Sequence, residues 1–269
     1  MSGWSFGLDL AGYSSGRSIL AAARLRNQHI DVVILDTPVL SRPIKGEADT
    51  AFVQEAEADL LGACLRLGAL AVDVPIDLQN LRQPVLQGRV WELTRRPVDR
   101  AFGGLAPLAD RIGSTVARFA AIHARLEGAA EIGINLFETY PAASLKLMGQ
   151  TGKGYKPGLC HLEENRWRGC GIKDTSDAAM AVILERLRIS ADDPISDDDL
   201  DAAICAITLA VEATSRLEGQ ALADFIAQSL GSGHAAASGY ILLKAIPGVS
   251  IRITRAEAGE WFKGHSATI

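Results

Sequence analysis

The sequence predicts an α/β fold built on a mixed sheet flanked by helices, and three observations predict it. Three short strand patterns follow one another at the N-terminus with tight connections. A long amphipathic helix comes next, and buried strands then alternate with helices. The 269 residues are 48% hydrophobic and 22% charged, enough apolar chain for a full core and too ordinary a balance for disorder.

Each element has a local reason. Residues 4–11 alternate Trp4, Phe6, Leu8 and Leu10 with small residues and Asp9, the period of a strand. Residues 12–16 form a turn cluster, and residues 18–26 and 30–35 read as the second and third strands of a meander. Residues 47–67 place Ala51, Ala58, Leu61 and Leu65 at helical spacing without a proline, and Gly68 stands where a helix ends. Residues 69–76 (ALAVDVPI) read as a buried strand ended by Pro75. The stretch 83–126, broken by Pro97, Gly103, Gly104 and Pro107, reads as two or three helices. A strand over 131–139 is closed by Pro141, and 151–171 reads as a loop or a flap over a site. Residues 177–187 and 196–216 are helical, the latter with Ser196 and Asp199 at capping-box spacing. A further helix over 217–230 and a terminal hairpin over 240–254 complete the reading.

Composition excludes several classes. The longest apolar run, 202–211, is about half of a membrane span, so no membrane partner is expected. Residues 1–13 lack a basic start and carry an early Asp, unlike a signal peptide. Cys64, Cys160, Cys170 and Cys205 are widely spaced with no C-x-x-C, which suits the reduced thiols of a cytoplasmic protein. The net charge of −5 is uneven: eight arginines (82, 89, 95, 96, 100, 111, 118 and 125) against Glu92, Asp99 and Asp110 make one segment basic. Arginine suits bidentate phosphate contacts, although a solvated basic helix face would look the same.

Familiar motifs fail on context. Gly12 to Gly16 fits G-x-S-x-G, but a strand rather than a helix follows it, so it is no nucleophile elbow. No segment has the spacer and Lys-Ser/Thr of a P-loop, and Cys160, His161 and Cys170 lack the paired spacing of structural zinc.

What remains is a set of acids in unusual places. Asp9, Asp73 and Glu138 each lie near the C-terminal end of a hydrophobic strand, where open α/β sheets bind ligands. Asp198 and Asp201 lie one turn apart at the start of a helix that is apolar nearly all round. Two carboxylates ~4 Å apart repel by about 4 kcal/mol at an effective dielectric of 20. A divalent cation relieves that cost, and carboxylate and water oxygens suit Mg²⁺ or Mn²⁺. Such ions clamp the attacking and leaving oxygens of a phosphodiester displacement. Each acid also has a plainer reading. Asp9 begins a turn, Asp73 caps a loop, Glu138 pairs with an arginine or Lys146, and Asp197 to Asp199 meet the helix dipole. Asp201 fits that last account least, and Asp77 is a spare loop acid.

The blocks GLDLAG, AVDVPID, FETYPAASLK and DDDLDAAICAIT, with RRPVDRAFGGLAPLADRIG between them, resemble a group of predicted nucleases of ribonuclease H-like fold (domain of unknown function 429). The last block also resembles Holliday-junction resolvases, whose final helix carries two aspartates three apart followed by alanines. The blocks span residues 7 to about 210 in this order. The resemblance implies a five-stranded mixed sheet with its first three strands antiparallel, in a single domain over 1–269. A helical Arg-rich insert would occupy 84–127 and a C-terminal extension 217–269. It implies a catalytic Asp on the first strand, matching Asp9, another acid on the fourth, matching Asp73, and one on the closing helix, matching Asp201. Glu138 belongs to the nearer group's pattern, and the acid that ribonuclease H carries on its first helix corresponds to Glu55 or Glu57.

The expected activity is Mg²⁺- or Mn²⁺-dependent hydrolysis of nucleic acid. Asp9, Asp73, Glu138 and Asp201 are the candidate catalytic acids, with Asp198 as a further metal ligand. Arg95, Arg96, Arg100 and Lys156 are the candidate substrate contacts. Two other readings fit the same residues. One is an ATP-binding relative of actin and the sugar kinases, for which residues 7–18 would form the phosphate loop. The other is a non-catalytic module that binds nucleic acid or protein.

Overall fold

The computed structural model describes residues 3–12, 18–27, 29–40, 47–76, 99, 113–126, 128–147, 150, 154–156, 158–169, 174–212, 241–242 and 249–265. Its centre is a mixed sheet of β1 (Trp4–Asp9), β2 (Ile19–Arg26), β3 (His29–Asp36), β4 (Gly68–Val72), β5 (Leu136–Thr139), β8 (Ile189–Ala191), β10 (Ile241–Leu242) and β11 (Ser250–Glu257). The spatial order is β10-β5-β4-β1-β2-β3-β11-β8. A second, three-stranded sheet joins β6 (Leu159–Glu163), β7 (Arg166–Gly169) and β9 (Ile195–Ser196) in the order β7-β6-β9. The first three strands pair antiparallel as a meander, whereas β4 lies parallel beside β1 and β5 parallel beside β4.

Helices cover both faces. Against one face lie α1 (Glu47–Leu67), α2 (Gly113–Arg125) and α6 (Ala258–Gly264), whose Leu60, Leu61, Phe119 and Phe262 pack on Phe6, Leu8, Leu20 and Leu70. Against the other lie α3 (Pro141–Leu147), α4 (Asp174–Arg186) and α5 (Asp197–Glu212), around Ala21, Ala23, Ile30 and Val32. Alternation along β1 sends Phe6 and Leu8 to the first face, leaving Gly7 and Asp9 toward α5. Gly7 sets the approach of that helix: a Cβ there would lie 2.2 Å from both Ala202 O and Ala206 N. Gly68 does the same at the start of β4, where a Cβ would lie 1.8 Å from Trp4 O.

Several expectations change. The sheet is larger than five strands, because β11 inserts parallel between β3 and β8 and β10 adds to β5 at the other edge. Residues 240–254 are therefore no hairpin; their two strands lie in different parts of the sheet. The alternation of SIRITRAE buries Ile251 and Ile253 and makes β11 an integral strand rather than an appendage. The strand expected over 131–139 is confined to β5, since Asn135 bonds back to Glu131 N and Ala129 O and holds the preceding residues in a turn. Pro141 opens α3, where a missing N–H costs nothing, rather than only closing a strand. Residues 159–169 form a β6–β7 hairpin, its turn residues Glu164 and Asn165 at φ 47° and 62°. Of the expected helical insert at 84–127, α2 and the helical Asp99 are described; the helix expected over 217–230 lies outside the described residues. Cys64, Cys160 and Cys205 are buried, and no helix among the described residues is long and apolar enough to cross a membrane.

Candidate functional site

Three carboxylates lie near one another where β1 and β4 end beneath α5. Leu8 pairs with Val72, and Asp73 N donates to Leu8 O at 2.9 Å, so one step further Asp9 and Asp73 stand side by side. Both follow residues of the Leu8–Val72 pair and therefore turn toward the α5 face. On that helix, Ala202 and Ala206 rest on Gly7, which brings the neighbouring Asp201 down onto Asp9. Asp201 is buried; Asp9, Asp73 and Asp198 are partly exposed, so the group opens to solvent.

The electrostatics record this convergence. Burial pushes the Asp9 carboxyl well above the usual carboxylate range, with repulsion from Asp201, Asp73 and Asp198 adding to it and Lys156 opposing. Asp73 is pushed up to about 8, first by burial and then by Asp201, with Lys156 opposing and Glu138 adding. Asp201 is raised by burial, against Lys156 and a hydrogen bond from Tyr155. Lys156 would lose basicity through burial, but Asp201, Asp9 and Asp73 more than reverse that and raise it.

Both Asp201 oxygens are engaged. Tyr155 OH donates to Oδ1 at 2.6 Å, and the Lys156 ammonium pairs with Oδ2. The loop that carries this pair is fixed to the start of α5: Gly158 N donates to Asp197 Oδ1 at 3.1 Å, and Asp197 N donates to Gly158 O at 3.0 Å. Among the described residues, no three His, Cys, Asp or Glu side chains are gathered closely enough to hold a metal ion as they now stand.

The other expected residues divide. Glu138 pairs with Val72 and so starts from the opposite face of the sheet; it is buried, and its Oε2 accepts from Ile76 N at 3.3 Å. It supports the chain leaving β4 while lying near enough to Asp73 to raise it. Asp197 is spent on Gly158, and Asp199 closes the predicted capping box, accepting from Ser196 N at 2.8 Å while Ser196 Oγ accepts from Asp199 N at 3.1 Å. Asp199 also meets Arg255 of β11. Glu55 is exposed, whereas Glu57 is buried against Arg118. Arg118 is therefore a core residue and no part of a solvated basic face. Its guanidinium donates to Ala11 O at 2.8 Å and fixes the chain just beyond Asp9. Arg95, Arg96, Arg100 and Asp77 lie outside the described residues.

Two tyrosines were not singled out by the sequence. Tyr155 is buried against Asp201, and Tyr140 is pushed up to about 12 by burial and by Asp73, Asp99 and Asp201. Their signals were faint: Tyr155 sits in the Gly-rich GKGYKPG and Tyr140 directly before Pro141. The chain matches no protein-family model, and no curated protein or solved structure matches it significantly.

Proposed function

We propose that this chain is a divalent-metal-dependent phosphodiesterase acting on nucleic acid, with a ribonuclease H-like architecture. The architectural part rests on the contiguous order β5-β4-β1-β2-β3, with β1 to β3 antiparallel and β4 and β5 parallel to β1. Of this, the sequence resemblance implies a mixed sheet with its first three strands antiparallel. The functional part rests on one observation: Asp9, Asp73 and Asp201, from two neighbouring strands and a helix, share one face, where Asp201 and Asp73 raise the Asp9 carboxyl and Asp201 raises that of Asp73. Apolar residues would pack there at lower cost, so the cluster needs a reason beyond stability.

Carboxylates offer hard oxygen donors, which fit Mg²⁺ or Mn²⁺ better than softer metals. Asp9, Asp73 and Asp201 would hold the ion, with Asp198 beside Asp9 as a further donor. Bound there, the ion would polarise an attacking water and offset the negative charge that develops on the phosphate oxygens. The chain's own groups do the rest. Glu138 holds the turn after β4 and thereby aims Asp73, Arg118 holds the turn after Asp9, and Tyr155 orients Asp201. Arg95, Arg96 and Arg100 remain proposed phosphate contacts, by residue type alone.

A panel of labelled DNA, RNA and branched substrates with Mn²⁺ tests the reading. Wild type should cleave at least one, and Asp9→Asn should abolish cleavage while melting as a folded protein; full activity in that variant sinks the assignment. The ion pair of Lys156 with Asp201 gives some support to the non-catalytic alternative, in which lysine is the permanent counter-charge. In that case neither Mg²⁺ nor Mn²⁺ binds.

A further inference from the structure

Lys156 has a double character. Its side chain is about half exposed at 48%, yet its ammonium reaches inward to Asp201, whose carboxylate is 2% exposed. Among the described residues it is the cation that offsets Asp9, Asp73 and Asp201 together. A divalent ion entering among these acids would require an Asp201 oxygen that Lys156 now occupies. Tyr155 keeps the other oxygen and stays buried in the core around α5, so the exchange concerns the lysine alone.

We propose that Lys156 is an exchangeable counter-ion: metal entry displaces its ammonium from Asp201 and frees it to contact a substrate phosphate. This rests on the metal-dependent reading above and adds an order to it, metal before substrate. The backbone supports a swing of the side chain rather than of the loop. Gly158 is bonded both ways to Asp197, and Leu159 and Cys160 pair with Ser196 and Ile195. An ammonium on a flexible four-carbon stem can leave without disturbing that anchor.

The test uses the full-length chain and two readouts that need no catalysis. Brief acetylation with acetic anhydride, read residue by residue by mass spectrometry, should label Lys156 slowly in metal-free protein and several-fold faster in Mg²⁺. In Asp201→Asn it should label fast without Mg²⁺. Calorimetric titration should show Mg²⁺ binding roughly tenfold tighter to Lys156→Met than to wild type, about 1.4 kcal/mol. Lys156→Gln serves as the second variant should Lys156→Met fold poorly. Mg²⁺ binding without faster labelling of Lys156, or with equal affinity in wild type and variant, overturns the exchange and leaves the metal site standing. Failure of both wild type and variant to bind Mg²⁺ or Mn²⁺ overturns the metal reading and the exchange with it.

Discussion

Gly7→Ala is the most direct probe of how the fold builds its site. The added Cβ would lie 2.2 Å from Ala202 O and Ala206 N and 2.8 Å from Cys205 Cβ. Two of these atoms are helix backbone, so no side-chain rotation relieves the clash. Bringing 2.2 Å out to the 3.4 Å at which ordinary contact begins requires α5 to lift off β1 by about 1.2 Å. Overpacking of this kind costs typically 1–3 kcal/mol. Because only backbone can yield, about 3 kcal/mol is expected here. With an m-value of about 3 kcal/mol/M, the urea midpoint should fall by roughly 1 M, followed by far-UV circular dichroism.

The same displacement carries Asp201 away from Asp9, so the proposed metal-dependent activity should fall further than the folded fraction does. A misplacement of ~1 Å can cost about 100-fold in rate. Gly264→Ala is the control, since a Cβ there meets nothing within 4 Å, and it should leave the midpoint unchanged or slightly raised. A Gly7→Ala protein as stable as wild type would refute the close seating of α5 on β1, and with it the route by which Asp201 reaches the strands.

Two further outcomes follow from buried charge. Arg118→Met leaves the Glu57 carboxylate inside the core without its cation and releases the chain at Ala11, so it should cost about 3–5 kcal/mol by urea denaturation. Arg118→Met with Glu57→Gln should recover part of that loss; no recovery would show that the backbone bond matters more than the ion pair. The metal-free protein should also lose stability as pH rises. Asp9, Asp73 and Asp201 hold protons more tightly folded than unfolded, so the folded chain binds more protons over the interval between the two values. Their contribution is full below the unfolded carboxylate value of about 3.9. It disappears as pH climbs through the folded value, about 8 for Asp73. Melting temperatures in chelator across that window should decline less steeply for Asp73→Asn than for wild type.

The sequence disclosed what local periodicity can carry. β1 to β3 and α1 follow from alternation and helical spacing over single segments, and the Ser196–Asp199 box forms as its spacing implies. The placement of Asp9 and Asp73 at strand ends was legible for the same reason. β11 was only half legible: its alternation names a strand, but no local signal names β3, more than two hundred residues earlier, as its neighbour. The β6–β7 hairpin was hidden because its turn uses Glu164 and Asn165 where glycine would have announced it. Arg118 misled because charge counted along the chain does not reveal that Glu57 waits for it in the core.

The four aspartates of α5 show where geometry separates a site from a scaffold. Position along the helix assigns Asp197, Asp198 and Asp199 to the positive end of its dipole and leaves Asp201 outside that account. Asp197 and Asp199 are accounted for that way, because each accepts a backbone N–H that ties the helix start to its surroundings. Asp201 is buried beyond the first turn, and its neighbours are two other acids, a tyrosine and a lysine. A helix start gains nothing from a carboxylate there. The sheet beneath could accept an alanine at that position, as it does at Ala202 and Ala206. What the carboxylate adds is negative charge facing Asp9, which the proposed metal-dependent function would use to draw in a cation.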